Sequence, residues 1–319
     1  MYRQNEDDIV SIYNLLTPYV RLVTNCDMLN FGYWNADTKD LFSAQHNLSS
    51  LVGELAELHS GLRIIDAGSG FSSPALYWES KYCPIDIICV DTNNKELRIA
   101  LEHRNGILDR RNTFGKGGTS DALNQAVGLS RDINSMKFIN ANSTLLPFAS
   151  QSVDRVIALE SAHHFRPITQ FIDESRRVLK NDTGILVIAL PVVTKEIPRL
   201  NMIFKLGILY ISWASQHYEP SKIMSLIMAK GFIIREILHV GNCVYEPLAN
   251  YYIHKRRTFK RKIIPNNKFS WLSFMPALVS NLVYDSIERI IYHSALKMKE
   301  LSIRGEIDYI IIKAELKQS

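Results

Sequence analysis

The sequence predicts an α/β fold in which a doubly wound, mostly parallel sheet of seven strands alternates with helices. Three observations support this prediction. From residue 63 onward, short β-rich runs alternate with helical stretches. Most of these runs are apolar throughout, as in strands buried on both faces. A glycine-containing turn joins the first run to a helix. The chain has 319 residues, of which 46% are hydrophobic, so it can build a sizeable core.

The first 60 residues are predicted to be mainly helical. The stretch LFSAQHNLSSLVGELAEL has apolar residues at helical spacing, and the aromatic, glycine-containing turn LNFGYW (Leu29–Trp34) precedes it. We therefore interpret residues 1–60 as a helical lid and residues 61–319 as the main domain.

Seven strands are predicted in the main domain. They are LRIIDA, IDIICVD (Ile85–Asp91), MKFINA (Met136–Ala141), VDRVIALE (Val153–Glu160), GILVIAL (Gly184–Leu190), GFIIREILHV (Gly231–Val240) and EIDYIIIKAEL (Glu306–Leu316). Two insertions interrupt the pattern. Residues 106–135 are polar and glycine-rich and predict a mobile surface loop with one short helix, whereas residues 241–305 predict a helical insertion before the last strand.

Composition and charge argue against several classes of protein. A net charge of +5 is a mild excess of base and not the signature of a nucleic-acid coat. The four cysteines form no CxxC pair, and no Cys/His cluster has zinc-ligand spacing, so we expect reduced thiols, a cytoplasmic protein and no metal site. No signal peptide is expected. Pro276, Asn281 and Asp285 interrupt the apolar stretch 271–296, which therefore predicts an amphipathic helix rather than a membrane span.

A nucleoside site is predicted where the first two strands end. The stretch RIIDAGSGFSSPAL places Asp66, Gly68 and Gly70 at a strand-to-helix turn, where residues without Cβ let the backbone approach a ligand closely. Asp91 ends the next strand, and an acid there can accept hydrogen bonds from both ribose hydroxyls. NAD and S-adenosylmethionine both fit such a site, although the turn lacks the third glycine that a dinucleotide fold usually requires.

The stretch NANSTLLPFASQSVDRVIALESAHHF (Asn140–Phe165) favours the second cofactor. It closely resembles the class I S-adenosylmethionine-dependent methyltransferases, and within them the small-molecule branch with sugar, sterol, tocopherol and quinone methyltransferases. That branch shows an acidic-Ala pair, LPF, and then FDxVxxxExxxH. The resemblance covers about residues 60–190 and extends more weakly to LNFGYW and to the last strand. It implies a Rossmann-like fold and methyl transfer from S-adenosylmethionine by residues 61–319.

The resemblance also implies roles for single residues. The turn with Asp66, Gly68 and Gly70 would face the amino-acid end of the cofactor, and Asp91 would bind the ribose. Asn142 stands where the family usually has Asp, and its amide oxygen would accept from the adenine amino group. The other positions that the resemblance assigns are Thr92 and Ser143 at the adenine, Glu160 and Ser161 beside the methionine, and the aromatic lid residues Tyr13, Tyr33 and Trp34.

Two histidines are candidates for the catalytic base. An alcohol or phenol acceptor must lose a proton during methylation, and histidine has a suitable pKa. In the O-methylating members of the resembling branch the base follows the Glu by four residues, which favours His164, with His163 as the second candidate. The fifth strand lacks the acid that some of those enzymes place after it, so methylation of carbon or nitrogen also fits. A non-catalytic, cofactor-binding subunit is the alternative from another class.

The insertion before the last strand gives hints about partners. The run HKRRTFKRK (His254–Lys262) and the apolar helix 271–296 suggest peripheral contact with a membrane or binding of an anionic substrate. No nucleic-acid partner is expected, because the chain carries no appended RNA-binding module. We expect a small-molecule or lipid-like acceptor, and the oligomeric state is left open.

Overall fold

A computed structural model describes residues 28, 30–114, 136–194, 219–263 and 277–317. Tyr13, most of the predicted 106–135 loop and the first residues of the 271–296 helix lie outside these described residues. The chain divides into two compact units. One unit takes in Met1–Leu48, Pro191–Ile223 and Leu238–Ile310, and the other takes in Ser49–Leu190, Met224–Ile237 and Ile311–Ser319.

The described residues contain a seven-stranded sheet with the order β3-β2-β1-β4-β5-β7-β6. Its strands are β1 (Arg63–Ala67), β2 (Asp86–Asp91), β3 (Met136–Asn140), β4 (Arg155–Leu159), β5 (Ile185–Val193), β6 (Phe232–His239) and β7 (Ile307–Leu316). Strand β1 pairs in parallel with β2 and β4, β2 with β3, and β4 with β5. Strand β7 runs antiparallel to β6, because Lys317 N–H donates to the Gly231 carbonyl and Val240 N–H to the Tyr309 carbonyl. The predicted Rossmann-like, mostly parallel sheet is confirmed.

The strand order also locates the site. Strands β4 and β5 are buried at every residue, as expected for parallel strands covered on both faces. The chain leaves β1 towards β2 and β3 on one side and later returns to β4 on the other. In open α/β sheets such a reversal opens a crevice beyond the carboxyl ends of the strands, and ligands bind there. The ends of β1, β2 and β4 lie at this reversal, and they carry most of the predicted cofactor and catalytic residues.

Seven helices of at least ten residues accompany the sheet in the described part of the chain. They are α1 (Leu41–Leu55), α2 (Ser73–Tyr82), α3 (Asn94–Phe114), α4 (Ile168–Val178), α5 (Pro220–Ala229), α6 (Tyr245–Ile263) and α7 (Ala277–Ile303). The loop predicted from residue 106 onward is wrong for its first part, since α3 continues through Gly106 to Phe114. A single glycine costs a helix only about 1 kcal/mol, and the sequence ILDRRNTF after it contains no proline to end the helix.

The helical insertion before the last strand consists of α6 and α7, which pack on each other around Tyr252, Phe259 and Ala295. The Glu288 side chain of α7 is only 1% exposed and accepts from Arg256 of α6, at 2.7 Å from Nε and 3.0 Å from a terminal nitrogen. The same guanidinium lies 3.6 Å from the centre of the Tyr292 ring. Arg256, the first arginine of the predicted basic run, thus pairs with α7 within this helix pair.

Replacing Arg256 by alanine is expected to lower the free energy of unfolding by about 2 kcal/mol, because the buried Glu288 carboxylate loses its ion pair. Arg257→Ala removes a neighbouring, exposed side chain of α6 and should change the free energy of unfolding by less than about 0.5 kcal/mol. Urea denaturation of the wild type and both variants measures the difference. Equal effects would show that the internal pair does not stabilise the insertion.

Three cationic side chains of the basic run, Lys255, Arg257 and Arg261, are exposed on α6. Contact of this face with an anionic surface stays a prediction. In the described part of the chain, none of the helices is both long and apolar enough to cross a membrane. The cytoplasmic location also stays a prediction.

Candidate active site

The turn from β1 into α2 is built against the end of β4. Gly68 has φ +71°, and a Cβ placed on it would lie 2.4 Å from the Ser161 Cβ. The Ser161 hydroxyl donates to the Ala67 carbonyl at 2.5 Å, which holds the two strand ends together. Only glycine fits at residue 68, since any side chain would separate the turn from Ser161. Two predicted site residues from distant parts of the sequence are therefore neighbours.

Asp91, at the end of β2, is oriented by backbone donors. Gly70 N–H donates to its Oδ2 at 2.8 Å, and Asn93 N–H donates to its Oδ1 at 2.7 Å. Burial raises the pKa of Asp91, while the N–H groups of Asn93 and Gly70 oppose that rise. Each carboxylate oxygen has capacity for a further hydrogen bond. This arrangement suits an acid that accepts from two ribose hydroxyls.

Asp66 is the most deeply buried acid of the site. Its residue is 3% exposed, and its Oδ2 is buried without a hydrogen-bond partner in the described structure. Burial, and next the charge of Asp91, raise the pKa of Asp66 to about 7. A carboxylate buried among apolar groups has no partner for its negative charge. A polar or cationic group in the site would therefore stabilise the charged form of Asp66.

Glu96 is a third acid at this turn, and the sequence analysis did not identify it. Its Oε2 lies 3.2 Å from the point that a Cβ on Gly70 would occupy, and its residue is buried. Asn93 immediately precedes α3, and an acid three residues later is typical of a capping box, which could have identified Glu96 from the sequence.

The charges around the turn distinguish between the two nucleoside cofactors. Neither Asp66 nor Asp91 has a lysine or arginine as an ion-pair partner among the described residues. Together with Glu96 they form an acid-rich surrounding that favours a cation over a pyrophosphate. In the described ranges no group of three acidic, histidine or cysteine residues is arranged to hold a metal ion. S-adenosylmethionine, which carries a sulfonium and an ammonium group, therefore fits this site better than NAD does.

The residues predicted to lie at the adenine follow the ends of β2 and β3. The Asn140 amide donates to the carbonyls of Asp91 and Thr92, at 2.9 Å each, and so ties the end of β3 to β2. Thr92 is exposed and Ser143 is buried. The Asn142 amide oxygen accepts from both the N–H and the hydroxyl of Thr144, at 2.9 Å each. Its predicted role as an acceptor for adenine therefore competes with a local turn.

We expect Asn142→Asp to tighten binding of S-adenosylmethionine about tenfold. One carboxylate oxygen would keep the two bonds from Thr144, and the other would accept from the adenine amino group with charge assistance. Isothermal titration measures the dissociation constant. The matched control, Asn140→Asp, should weaken binding, because it replaces a donor to two carbonyls with a carboxylate. Weaker binding by Asn142→Asp would contradict the idea that its second oxygen can serve the adenine.

The end of β4 carries the candidate catalytic residues. Glu160 has φ +54°, a left-handed conformation that is strained for a residue with a side chain, and its N–H donates to the Ala189 carbonyl at 2.8 Å. A single helical turn, Ala162–His164, follows, and the rings of His163 and His164 lie 3.9 Å apart between centres. Burial, and next the charge of Arg166, lower the pKa of His164 to about 4, so its ring is neutral at physiological pH.

The aromatic lid residues that the structure describes belong to the other compact unit. Trp34 is 8% exposed and packs with Leu41, Ala44 and Tyr251, with its ring centre 5.1 Å from that of Tyr251. The backbone N–H of Trp34 donates to the Cys243 carbonyl at 2.8 Å. Trp34 of the predicted lid thus packs on, and is hydrogen-bonded to, the helical insertion within the same unit. A role for Tyr33 and Trp34 at the substrate stays a prediction.

Known proteins match this site and this fold. The family model described as "Methyltransferase domain" matches residues 65–188, which contain the glycine turn, Asp91 and both histidines. Over 266 residues the chain is 25% identical to erythromycin 3''-O-methyltransferase of Saccharopolyspora erythraea, with 79% of this chain and 77% of that protein covered.

Two solved structures share the fold over nearly the whole length. The cyclopropane synthase MmaA2 of Mycobacterium tuberculosis has a TM-score of 0.69 at 13% identity, with 98% of each chain covered. The geranyl diphosphate C-methyltransferase of Streptomyces coelicolor A3(2), solved with S-adenosyl-L-homocysteine, has a TM-score of 0.66 at 10% identity, also with 98% of each chain covered. The sheet order, the acid-rich glycine turn and the methyltransferase family model over residues 65–188 all support one cofactor and one reaction type, those of a class I S-adenosylmethionine-dependent methyltransferase.

Proposed function

We propose that the protein methylates a hydroxyl group of a small or lipid-like molecule, with His164 as the general base. The observation that carries this proposal is the place of His164. It lies three residues after Ser161, which contacts the glycine turn, on the helical turn at the end of β4. A base in this position is close to the part of the cofactor site that the resemblance assigns to the methionine.

The chemistry required of the protein is modest. When bound, S-adenosylmethionine supplies a methyl group activated by its sulfonium, and the displacement needs the acceptor oxygen held in line with it. The glycine turn and Asp91 fix the position of the cofactor, and His164 takes the hydroxyl proton on a ring nitrogen. The hydroxyl becomes strongly acidic as its new bond to carbon forms. A neutral imidazole of low basicity can therefore accept the proton late in the reaction.

The relatives support the choice of oxygen as the acceptor. The S. erythraea protein is named as an O-methyltransferase. A second relative, from Herpetosiphon aurantiacus, is 24% identical over 201 residues and is named (+)-O-methylkolavelool synthase, with 62% of each chain covered. C- or N-methylation and a non-catalytic cofactor-binding subunit remain the alternatives, and the experiment below separates them.

The test is turnover of S-adenosylmethionine to S-adenosylhomocysteine with a panel of hydroxyl, amine and activated-carbon acceptors. We expect turnover with a hydroxyl acceptor and a mass increase of one methylene on its oxygen, located by NMR of the product. Methylation of nitrogen or carbon only would reject the O-methyltransferase proposal. Tight cofactor binding without turnover of any acceptor would favour the non-catalytic subunit.

A further inference from the structure

Asp66 carries a buried carboxyl that has few partners to stabilise its charge in the cofactor-free protein. It lies on β1 with one oxygen unpartnered in the described structure, and the neighbouring charge that shifts its pKa is that of another acid, Asp91. Two backbone N–H groups donate to Asp91 and favour its charged form, whereas the Oδ2 of Asp66 accepts no hydrogen bond in the described structure. When two acids share a buried site without a cation, the less supported one tends to stay protonated.

The other ionisable groups around Asp66 do not supply the missing positive charge. Cys89 on β2 is a fully buried thiol whose pKa is raised well above its usual value, so it stays neutral. Behind it, Arg104 of α3 is engaged with Glu79 of α2 at 2.8 Å. The remaining ionisable groups on the elements at this end of the sheet are Lys95 and Glu96 on α3 and Glu160, His163, His164 and Arg166 after β4. Neither of the two cations among them, Lys95 and Arg166, contributes to the pKa of Asp66.

We propose that Asp66 is protonated in the cofactor-free protein and releases its proton to solvent when the cationic methionine end of S-adenosylmethionine binds. This step moves one proton from the carboxyl to the buffer and leaves a carboxylate facing a cation. The inference rests on the cofactor assigned above and adds a property to it: capture of the cofactor is coupled to pH.

The coupling also distinguishes the cofactor from the product. S-adenosylhomocysteine keeps the ammonium group but has lost the sulfonium charge, so it stabilises the Asp66 carboxylate less. Fewer protons should be released when the product binds. The preference for S-adenosylmethionine over S-adenosylhomocysteine should therefore grow as the pH rises through 7, which would reduce product inhibition at alkaline pH.

Isothermal titration in two buffers of different ionisation enthalpy counts the protons released. Because the pKa of Asp66 is about 7, we expect about 0.9 proton at pH 6, about 0.5 at pH 7 and almost none at pH 8.5. The affinity for S-adenosylmethionine should rise about tenfold from pH 6 to pH 8. The cofactor's own ammonium group begins to titrate near pH 8, and the variants below account for that contribution.

Asp66→Asn keeps the shape of the side chain but has no proton to release. We expect it to bind with a pH-independent affinity between pH 6 and pH 7.5, whereas the control Asp86→Asn, at the opposite end of β2, should behave as the wild type. Infrared spectra of the free protein at pH 6 provide a second readout that needs no binding by the variant. They should show a protonated carboxyl band that S-adenosylmethionine removes and that is missing from Asp66→Asn.

The outcomes separate this inference from the methyltransferase assignment. If the wild type binds S-adenosylmethionine without proton release and without a carboxyl band, only the proton coupling is wrong. Equal proton release by Asp66→Asn and the wild type would place the coupling on another group and also overturn it. If the wild type does not bind S-adenosylmethionine at all, the cofactor assignment itself fails.

Discussion

Replacing Gly68 by alanine is expected to abolish binding of S-adenosylmethionine and to lower the free energy of unfolding by about 3 kcal/mol. Two costs add at this position. The backbone has φ +71°, which an alanine adopts with strain, and the new Cβ would lie 2.4 Å from the Ser161 Cβ and 2.9 Å from its hydroxyl oxygen. Relief of that overlap moves the turn away from the end of β4, and the cofactor site with it. Titration calorimetry and urea denaturation measure the two losses.

Gly61→Ala is the matched control, because it places a side chain at positive φ without creating a steric overlap. Gly61 has φ +87°, and a Cβ on it would meet nothing within 4 Å. We expect a loss of about 1 kcal/mol and unchanged cofactor binding. If both alanine variants behaved alike, strain at positive φ would explain the whole effect, and the close packing of Gly68 on Ser161 would not matter for the site.

Replacing His164 by alanine is expected to lower kcat about 10²–10⁴-fold while leaving the dissociation constant of S-adenosylmethionine within about threefold of the wild type. The loss falls on kcat because the ring acts on the acceptor proton and not on the cofactor. The pKa of His164 is lowered to about 4, so the ring stays neutral across the physiological range. At saturating S-adenosylmethionine, protonation of this base should therefore reduce kcat/KM for the acceptor only as the pH falls towards 4, and not near 6.5.

His163 provides the comparison for that experiment. Its ring is buried and lies against that of His164, so His163→Ala should mainly lower stability and should reduce kcat much less at temperatures where it is folded. A severe loss of kcat in His163→Ala combined with near-normal turnover in His164→Ala would exchange the two assignments. An acidic limb near pH 6.5 in kcat/KM for the acceptor, measured at saturating S-adenosylmethionine, would also argue against His164 as the base.

The sheet was predictable from the sequence because parallel strands buried on both faces leave a simple pattern. All seven strands lie within the predicted runs or extend them by a few residues, as β5 does to Val193. The turn after β1 was also predictable, since an acid, two glycines and a strand end are local features. Asp91 followed because strands that pair in parallel bring their ends together.

What the sequence could not supply are the partners of polar side chains. Whether the oxygen of Asn142 faces adenine or Thr144 depends on a turn of three residues, and both arrangements satisfy the amide. In the sequence Arg256 is one cation of a basic run, and its pairing with Glu288 of α7 is evident only from the structure. The length of α3 was missed for a different reason: its sequence after Gly106 is compatible with both helix and loop, and tertiary context decides.

The left-handed backbone of Glu160 has a consequence for how this protein would respond to selection. Glycine and, to a lesser degree, asparagine accept φ +54° more easily than glutamate does, so either of them would relax the chain at that point. A library screened only for heat resistance should therefore enrich glycine or asparagine at residue 160, whereas one screened for methyl transfer should keep the glutamate. At this residue the backbone favours one side chain and the predicted place beside the methionine favours another, so homologues without methyl transfer should more often carry glycine or asparagine here.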